Sequence, residues 1–248
     1  MSLRADLAIL YTMLLSPIRG ASHAARLESF YRSQAGAYDD FRARLLHGRG
    51  ALWSSLAVPQ GGCWLDMGGG TGANLEYLGE RLGQLARFYL VDLTPSLLNM
   101  ARQRVQQHGW TNIEIVEADA STFTPRHTPV DVVTFSYSLT MMPEWFAALD
   151  HAWHLLRPGG MIGVVDFYIS RKYPAPGQVR HPWYTRAFWP LWFGYDNVFP
   201  SPDHVPYLHR RFVPQHFSEH RGTVPYAPGL RAPYYIFIGR KSPALASC

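Results

Sequence analysis

The 248-residue chain is 47 % apolar and 17 % charged, which excludes an intrinsically disordered chain and allows one large packed core. Its net charge of +5 favours anionic partners, nucleic acid and lipid headgroups among them, without choosing one. The two cysteines, Cys63 and Cys248, offer neither metal-ligand spacing nor a disulfide framework and suit a reducing compartment.

In chain order, residues 7–15 (LAILYTMLL) form an apolar run. It is too short to span a bilayer, which takes about 20 residues. The small residues of 21–25 (ASHAA) behind it give it the outline of a signal peptide, but Asp6 abuts the run. A short helix that packs on the domain or dips into a membrane surface is expected instead. Over 24–55 the residues Leu27, Phe30, Tyr31, Gln34, Tyr38, Phe41, Leu45 and Leu46 recur near the helical period.

The pattern then alternates. Strands are predicted at 63–67 (CWLDM), 87–93 (RFYLVDL), 112–119 (NIEIVEAD), 130–139 (VDVVTFSYSL) and 161–168 (MIGVVDFY). Helices are predicted between them at 73–82, 96–109 and 144–160, the second opened by Pro95 and closed by Gly109. Such alternation gives βαβ units. The expected fold is α/β, a Rossmann-like open sheet, mostly parallel, with helices on both faces. After 170 the period dissolves among prolines and aromatics, and residues 233–241 (PYYIFIGRK) read as a late, antiparallel edge strand.

The stretch CWLDMGGGTG (63–72) places an acid and four glycines at the mouth of the first strand. Ligands of open parallel sheets bind beyond the carboxyl ends of the strands, and glycine lets them approach bare backbone. Asp92 ends the next strand, where a carboxylate suits ribose hydroxyls. The dinucleotide fingerprint G-x-G-x-x-G rests pyrophosphate on a helix N-terminus. Here Gly68, Gly70 and Gly72 give G-x-G-x-G instead, and Asp66 stands just before the loop. A carboxylate repels pyrophosphate but attracts an ammonium or a sulfonium. S-adenosylmethionine, which has both cations and no phosphate, is the expected ligand.

Together LDMGGGTGAN, LVDL, EADA and LLRPGG resemble the class I S-adenosylmethionine-dependent methyltransferases over residues 27–170. The resemblance implies that Asp66, Gly68, Gly69, Gly70 and Asn74 cradle the methionine part of the donor. Asp92 and Leu93 would hold the ribose, Asp119 and Ala120 the adenine, and Ser136 would lie against the donor. Gly69 stands where the family usually has Cys, Ser or Ala, and is expected to loosen the loop. Residues 1–55 would cap the donor site, 56–170 form the binding core, and 171–248 supply a substrate segment and closing strand of the same domain. Tyr31 and Tyr38 would cap the methionine carboxylate or the sulfonium, the alternative being two core tyrosines of an amphipathic helix.

SQAGAYDDFRARLLHGR, SYSLTMMPEW and DFYISR further resemble the betaine-lipid N-methyltransferases, which trimethylate diacylglyceryl-homoserine. That implies S-adenosylhomocysteine as a product, an acceptor at a membrane surface, a cytoplasmic and peripheral location, and the enzyme that makes diacylglyceryl-homoserine as a partner. Tyr31, Tyr137, Ser138, Asp166 and Tyr168 are the candidates for orienting the amine or taking its proton. Arg171, Arg180, His181, Arg210 and Arg211 are candidates for the headgroup carboxylate, and Trp183 and Tyr184 for the membrane boundary. No metal is expected. The rival acceptors are phosphatidylethanolamine, a quinone or a soluble amine, and the rival role is a non-catalytic donor-binding partner of a lipid synthase. Nucleic acid fits less well, because no NPPY-like tetrapeptide follows the fourth strand and no long basic run is present.

Overall fold

A computed structural model describes residues 22–32, 38–195, 197–225, 227 and 229–242. The apolar run at 7–15 and Cys248 lie outside them, as do the side chains of Tyr31 and Tyr38.

Among the described residues three short helices come first, α1 (His23–Arg32), α2 (Tyr38–Leu45) and α3 (Arg49–Ser55). The alternating core follows, with β1 (Cys63–Met67), β2 (Arg87–Asp92), α4 (Pro95–His108), β3 (Ile113–Glu117), β4 (Val130–Ser136), α5 (Trp145–Leu155) and β5 (Leu156–Phe167). The chain closes with α6 (Trp183–Gly194), α7 (His204–Arg211), β6 (Val213–Thr223) and β7 (Arg231–Arg240). The seven strands form one sheet in the order β3-β2-β1-β4-β5-β7-β6. β1 to β5 run parallel, and β7 pairs antiparallel with both β5 and β6. This is the Rossmann-like sheet expected from the alternation.

Both faces of the sheet are covered, so β1 is buried at all five positions and reads as one apolar run. Its side chains divide by the two-residue period of a strand. Trp64 enters a core with Trp53, Phe88, Leu90 and Leu98, while Leu65 and Met67 enter another with Phe135, Leu149 and Val164. Trp64 packs on Trp53 of α3 at 5.2 Å and on Phe88 of β2 at 6.1 Å, and Trp53 and Phe88 meet each other at 6.2 Å. That stack joins the N-terminal helices to the centre of the sheet.

Three sequence expectations change. The helix at 73–82 is two 3₁₀ helices, Ala73–Tyr77 and Gly79–Gln84, broken by Gly79 at φ 54°. The buried Leu75 and Leu78, then Leu82 and Leu85, are three residues apart, the repeat of a 3₁₀ turn. The helix at 144–160 ends at Leu155, and β5 starts at Leu156, which pairs with Val130. Pro158 and Gly159 therefore lie inside a strand, and the Gly159 and Gly160 backbone exchanges hydrogen bonds with Lys241. Beyond 170, where no element was predicted before the late strand, the structure has α6, α7 and β6. Pro190 within α6 and Pro206 within α7 blur the helical period there.

Candidate functional site

At the end of β1 the backbone turns through Gly68 (φ 79°), Gly70 (φ 56°) and Gly72 (φ 71°), left-handed conformations that a side chain resists. The amides of Gly68 and Gly69 both donate to the Val91 carbonyl, at 2.8 and 3.0 Å. The Gly70 amide donates to Asp92 Oδ2 at 2.9 Å, and the Thr94 amide to Asp92 Oδ1 at 2.9 Å. One carboxylate thus ties the first crossover loop to the end of the second strand. A Cβ on Gly68 would collide with Ser138, and one on Gly69 would lie 2.7 Å from Leu90 Cγ. Gly69 is therefore demanded by packing against β2, which corrects the expectation that it merely loosens the loop.

Above this loop is a cavity of about 310 Å³. Its walls are the glycine loop, Asp92 and Leu93 after β2, Asp119 and Ala120 after β3, and Ser136, Tyr137 and Ser138 after β4. Leu27, Arg42, Leu46 and Arg49 of the N-terminal helices close it on another side. Those helices are pinned to the body. Glu28 accepts the Ser96 amide at 3.1 Å, His47 meets the Thr223 carbonyl at 2.9 Å, and the Tyr137 hydroxyl donates to the His47 carbonyl at 2.6 Å.

A sulfonium nucleoside can be tested against this lining. The amides of Gly68, Gly69, Gly70 and Gly72 are all committed within the protein, so the glycines present no N–H array to a pyrophosphate. Two buried acceptors of the wall, Asn74 Oδ1 and Ser136 Oγ, have no partner among the described residues. Buried acceptors of this kind suit an ammonium or ligand hydroxyls. The residues fit S-adenosylmethionine. Asp92 would hold the ribose, Asn74 the amino end, and the segment at Asp119 the base.

The methyltransferase-domain family matches residues 65–160, the span from β1 into β5. Residues 65–160 carry a methyltransferase domain. A ubiquinone/menaquinone biosynthesis C-methyltransferase of Hydrogenovibrio crunogenus is 28 % identical over 148 residues, covering 57 % of this chain and 58 % of its own length. The chain thus spans under two thirds of that relative. Among solved structures, a phosphoethanolamine N-methyltransferase 2 of Haemonchus contortus matches with TM-score 0.68 and 12 % identity, over 90 % of this chain and 61 % of that one. The 1,6-didemethyltoxoflavin-N1-methyltransferase of Burkholderia thailandensis matches with TM-score 0.58 and 20 % identity, over 98 % of this chain and 91 % of that one. These likenesses concern the methyltransferase fold.

The structure divides the sequence-derived site residues. Gly68, Gly69, Gly70, Asn74, Asp92, Leu93, Asp119, Ala120, Ser136, Tyr137 and Ser138 all line the cavity. Within it Tyr137 and Ser138 are already engaged, since Ser138 Oγ donates to the Met67 carbonyl at 2.8 Å. Asp66 lies beneath the loop, off the cavity wall, accepting from Thr134 Oγ1 at 2.7 Å. Burial holds its pKa up at about 7. Its expected contact with the donor is corrected to a bracing role under the loop.

The acceptor-side expectations are corrected more widely. Asp166 is fully buried and accepts from Thr140 Oγ1 at 2.7 Å, the Thr140 amide at 3.2 Å and the Phe167 amide at 2.8 Å. It shapes the β4–α5 loop and does not line the cavity. Tyr168 points elsewhere, to Glu219, beside a second hollow of about 280 Å³. Arg171 pairs with Asp203 at 2.7 Å. Arg180 lies over the Tyr173 ring, and Arg211 pairs with Asp150 and covers the Trp153 ring at 4.3 Å. His181 is buried and accepts the Ser170 amide at Nδ1, and burial, helped by Arg221, lowers its pKa to about 4. A neutral imidazole cannot serve as the headgroup cation. Arg210 is exposed on α7, and Trp183 and Tyr184 are exposed on α6. None of these nine acceptor-side residues lines the donor cavity.

Among the described residues, the cations that line it are Arg42 and Arg49, only 6 % and 8 % exposed. Glu144, which is exposed, and the side chains of Met141 and Met142 also line it. The sequence reading missed all five. The one available signal was an arginine recurring among apolar positions of the first helices, a pattern that ordinarily means a solvated face.

Two outcomes test this arrangement. Asp92→Ala removes the acceptor of the Gly70 amide and the ribose partner, and is expected to weaken S-adenosylhomocysteine binding at least about tenfold by calorimetry, the order of a charge-assisted hydrogen bond. Unchanged affinity would contradict the assignment. Asp166 carries a second expectation. Burial lifts its carboxyl to about 7 in the fold, against 3.8 in a model peptide. The folded state then holds this proton more tightly, so the stability contributed by the group is present below pH 4 and is lost as pH rises towards 7. Denaturant titrations should show wild type losing stability relative to Asp166→Asn between pH 4 and 7. Wild type that holds or gains stability relative to Asp166→Asn over this range would contradict the desolvated carboxyl.

Proposed function

We propose that this domain transfers methyl groups to the amine of diacylglyceryl-homoserine, ending at the trimethylated betaine lipid. The observation that carries the reading is the pair of buried arginines, Arg42 and Arg49, on the wall of the donor cavity. Arg49 Nε donates to the Leu46 carbonyl at 3.3 Å, and the positive charge of this wall attracts carboxylates brought into the cavity. The donor's methionine end brings one carboxylate, and a homoserine headgroup brings a second. The short stretches around Tyr38, Tyr137 and Tyr168, which resemble the betaine-lipid N-methyltransferases, support the same acceptor.

S-adenosylmethionine, when bound, supplies an electrophilic methyl on a positive sulfur. The chain's part is to position the attacking nitrogen and to free it of its proton. Apolar walls at Leu27, Leu46, Met141 and Met142 exclude water and disfavour the ammonium form of an amine, lowering its pKa. Glu144 is the rim carboxylate available to receive the proton and pass it to solvent. Ser136 Oγ, unpartnered among the described residues, can accept a hydrogen bond from the amine and orient its lone pair. Trimethylation then needs only that the nitrogen re-enter after each exchange of donor. A lipid acceptor also makes the synthase of diacylglyceryl-homoserine a natural partner.

The second reading is a quinol acceptor, favoured by the name of the Hydrogenovibrio crunogenus relative. A quinol has no carboxylate to meet the arginines. The two are separated by incubating the pure protein and S-adenosylmethionine with diacylglyceryl-homoserine, phosphatidylethanolamine or a demethylated quinol in mixed micelles, and following methyl additions by mass spectrometry. Mono-, di- and trimethyl homoserine lipid are expected. Product only from the quinol or phosphatidylethanolamine, or donor binding with no product, would overturn the reading. Arg49→Met is expected to cut kcat/KM for the homoserine lipid by about tenfold to a hundredfold, the worth of one charge-assisted hydrogen bond.

A further inference from the structure

Helix α6 has two unlike faces. Inward, Trp189 and Phe193 are buried, and Phe193 stacks on Phe167 at 4.5 Å. Phe167 in turn meets Tyr137 of the cavity wall, edge to face, at 4.6 Å. Outward, Tyr184, Phe188, Leu191 and Tyr195 recur every three or four residues, so they form one stripe down the helix. All four are exposed, Leu191 and Tyr195 by 71 % and 70 %. Trp183 and Phe199 extend the apolar surface at its two ends, 74 % and 57 % exposed. Isolated apolar residues on a surface are ordinary, but a contiguous aromatic stripe marks a partner.

Charge indicates which partner. Residues 171–194 contain Arg171, Lys172, Arg180 and Arg186 and no Asp or Glu. Arg171 is paired with Asp203, while Lys172 and Arg180 both stand over the exposed Tyr173 ring, at 5.5 and 5.6 Å. Aromatic rings with polar tips beside lysine and arginine match the boundary between headgroups and acyl chains, and attract anionic lipid. No helix among the described residues is long and apolar enough to cross a membrane. A helix of 12 residues lying in the interface is consistent with that.

We propose that the outward stripe of α6, with the cationic segment before it, is the face on which this protein docks to an anionic lipid bilayer, and that docking sets the mouth of the donor cavity at headgroup level. The inference deepens the lipid-acceptor reading and rests on it for the biological sense of the partner. The geometry ties the face to the site twice. One link is the Phe193–Phe167–Tyr137 stack. The other is the Phe199 amide, which donates to the Thr140 carbonyl at 2.7 Å, next to Met141 of the cavity wall. An acceptor drawn from the bilayer then has a short path from its leaflet to the donor.

The test is vesicle co-sedimentation of the full chain, with no reaction required. Vesicles of phosphatidylglycerol and phosphatidylcholine are compared with phosphatidylcholine alone, for wild type, Leu191→Glu and the double variant Tyr184→Ser/Tyr195→Ser. Wild type is expected to sediment with the anionic vesicles at least about tenfold more strongly than with neutral ones, and less strongly at high salt. Each variant should lose at least about tenfold of that binding while its S-adenosylhomocysteine affinity stays within twofold of wild type, roughly one CH₂ of apolar contact or less. Wild type that ignores vesicles, variants that bind them equally, or a dimer in ultracentrifugation that Leu191→Glu dissociates without any vesicle binding would each overturn the proposal. Vesicle binding without methylation of homoserine lipid would leave the docking face standing and remove the acceptor. Methylation in micelles without vesicle binding would do the reverse.

Discussion

The carboxylate of Asp92 accepts two backbone amides, from Gly70 at 2.9 Å and Thr94 at 2.9 Å, and the rest of the site depends on this bond pair. It fixes the loop after β1 against the end of β2, so that the bare backbone of Gly68 to Gly70 forms a wall. It also consumes the amide that a phosphate-binding loop would leave open. The choice of an adenosyl sulfonium over a dinucleotide therefore follows from the hydrogen-bond bookkeeping of four glycines. The left-handed turns at Gly68, Gly70 and Gly72 are what make that geometry possible.

Around the loop, charge is sorted by depth. Asp66 and Asp166 lie behind the cavity, each satisfied by a threonine hydroxyl, Thr134 and Thr140, at 2.7 Å. Both are lifted to about 7 by burial, and both brace loops that form the wall. Arg42 and Arg49 face the cavity from the helices above. The acids work as scaffold behind the wall, while the arginines give the cavity side positive charge. Methyl transfer asks for a dry, well-shaped pocket more than for a strong base, and a wall of leucine, methionine and backbone provides one.

The sheet was legible because β1, β2, β4 and β5 contain apolar runs and helical segments lie between most of the core strands, with Pro95 and Gly109 punctuating α4. The donor wall was legible because Gly68 to Gly72, Asp92 and Asp119 stand at strand ends, where sequence position nearly determines spatial position. Depth was not legible. Asp66 and Asp92 look alike in sequence, yet one points under the loop and the other into the cavity. The acceptor side was misread for a related reason. Arg171, Arg180 and Arg211 look like free cations in the chain, but Asp203, the Tyr173 ring and the Asp150–Trp153 pair occupy them. Asp166 resembles a base until Thr140 is seen on it. Arg42 and Arg49 act through tertiary placement, which no local pattern reports. The two prolines in α6 and α7 concealed helices whose stability comes from packing on the sheet rather than from propensity.

The most direct measurement is a crystal structure of the protein grown with S-adenosylhomocysteine. The account predicts the nucleoside in the cavity above Gly68 to Gly70, its ribose hydroxyls on Asp92, its base beside Asp119 and Ala120, and its carboxylate turned towards the arginine wall. A ligand bound elsewhere, or a cavity whose glycine loop has swung its amides outward to hold a phosphate, would contradict it.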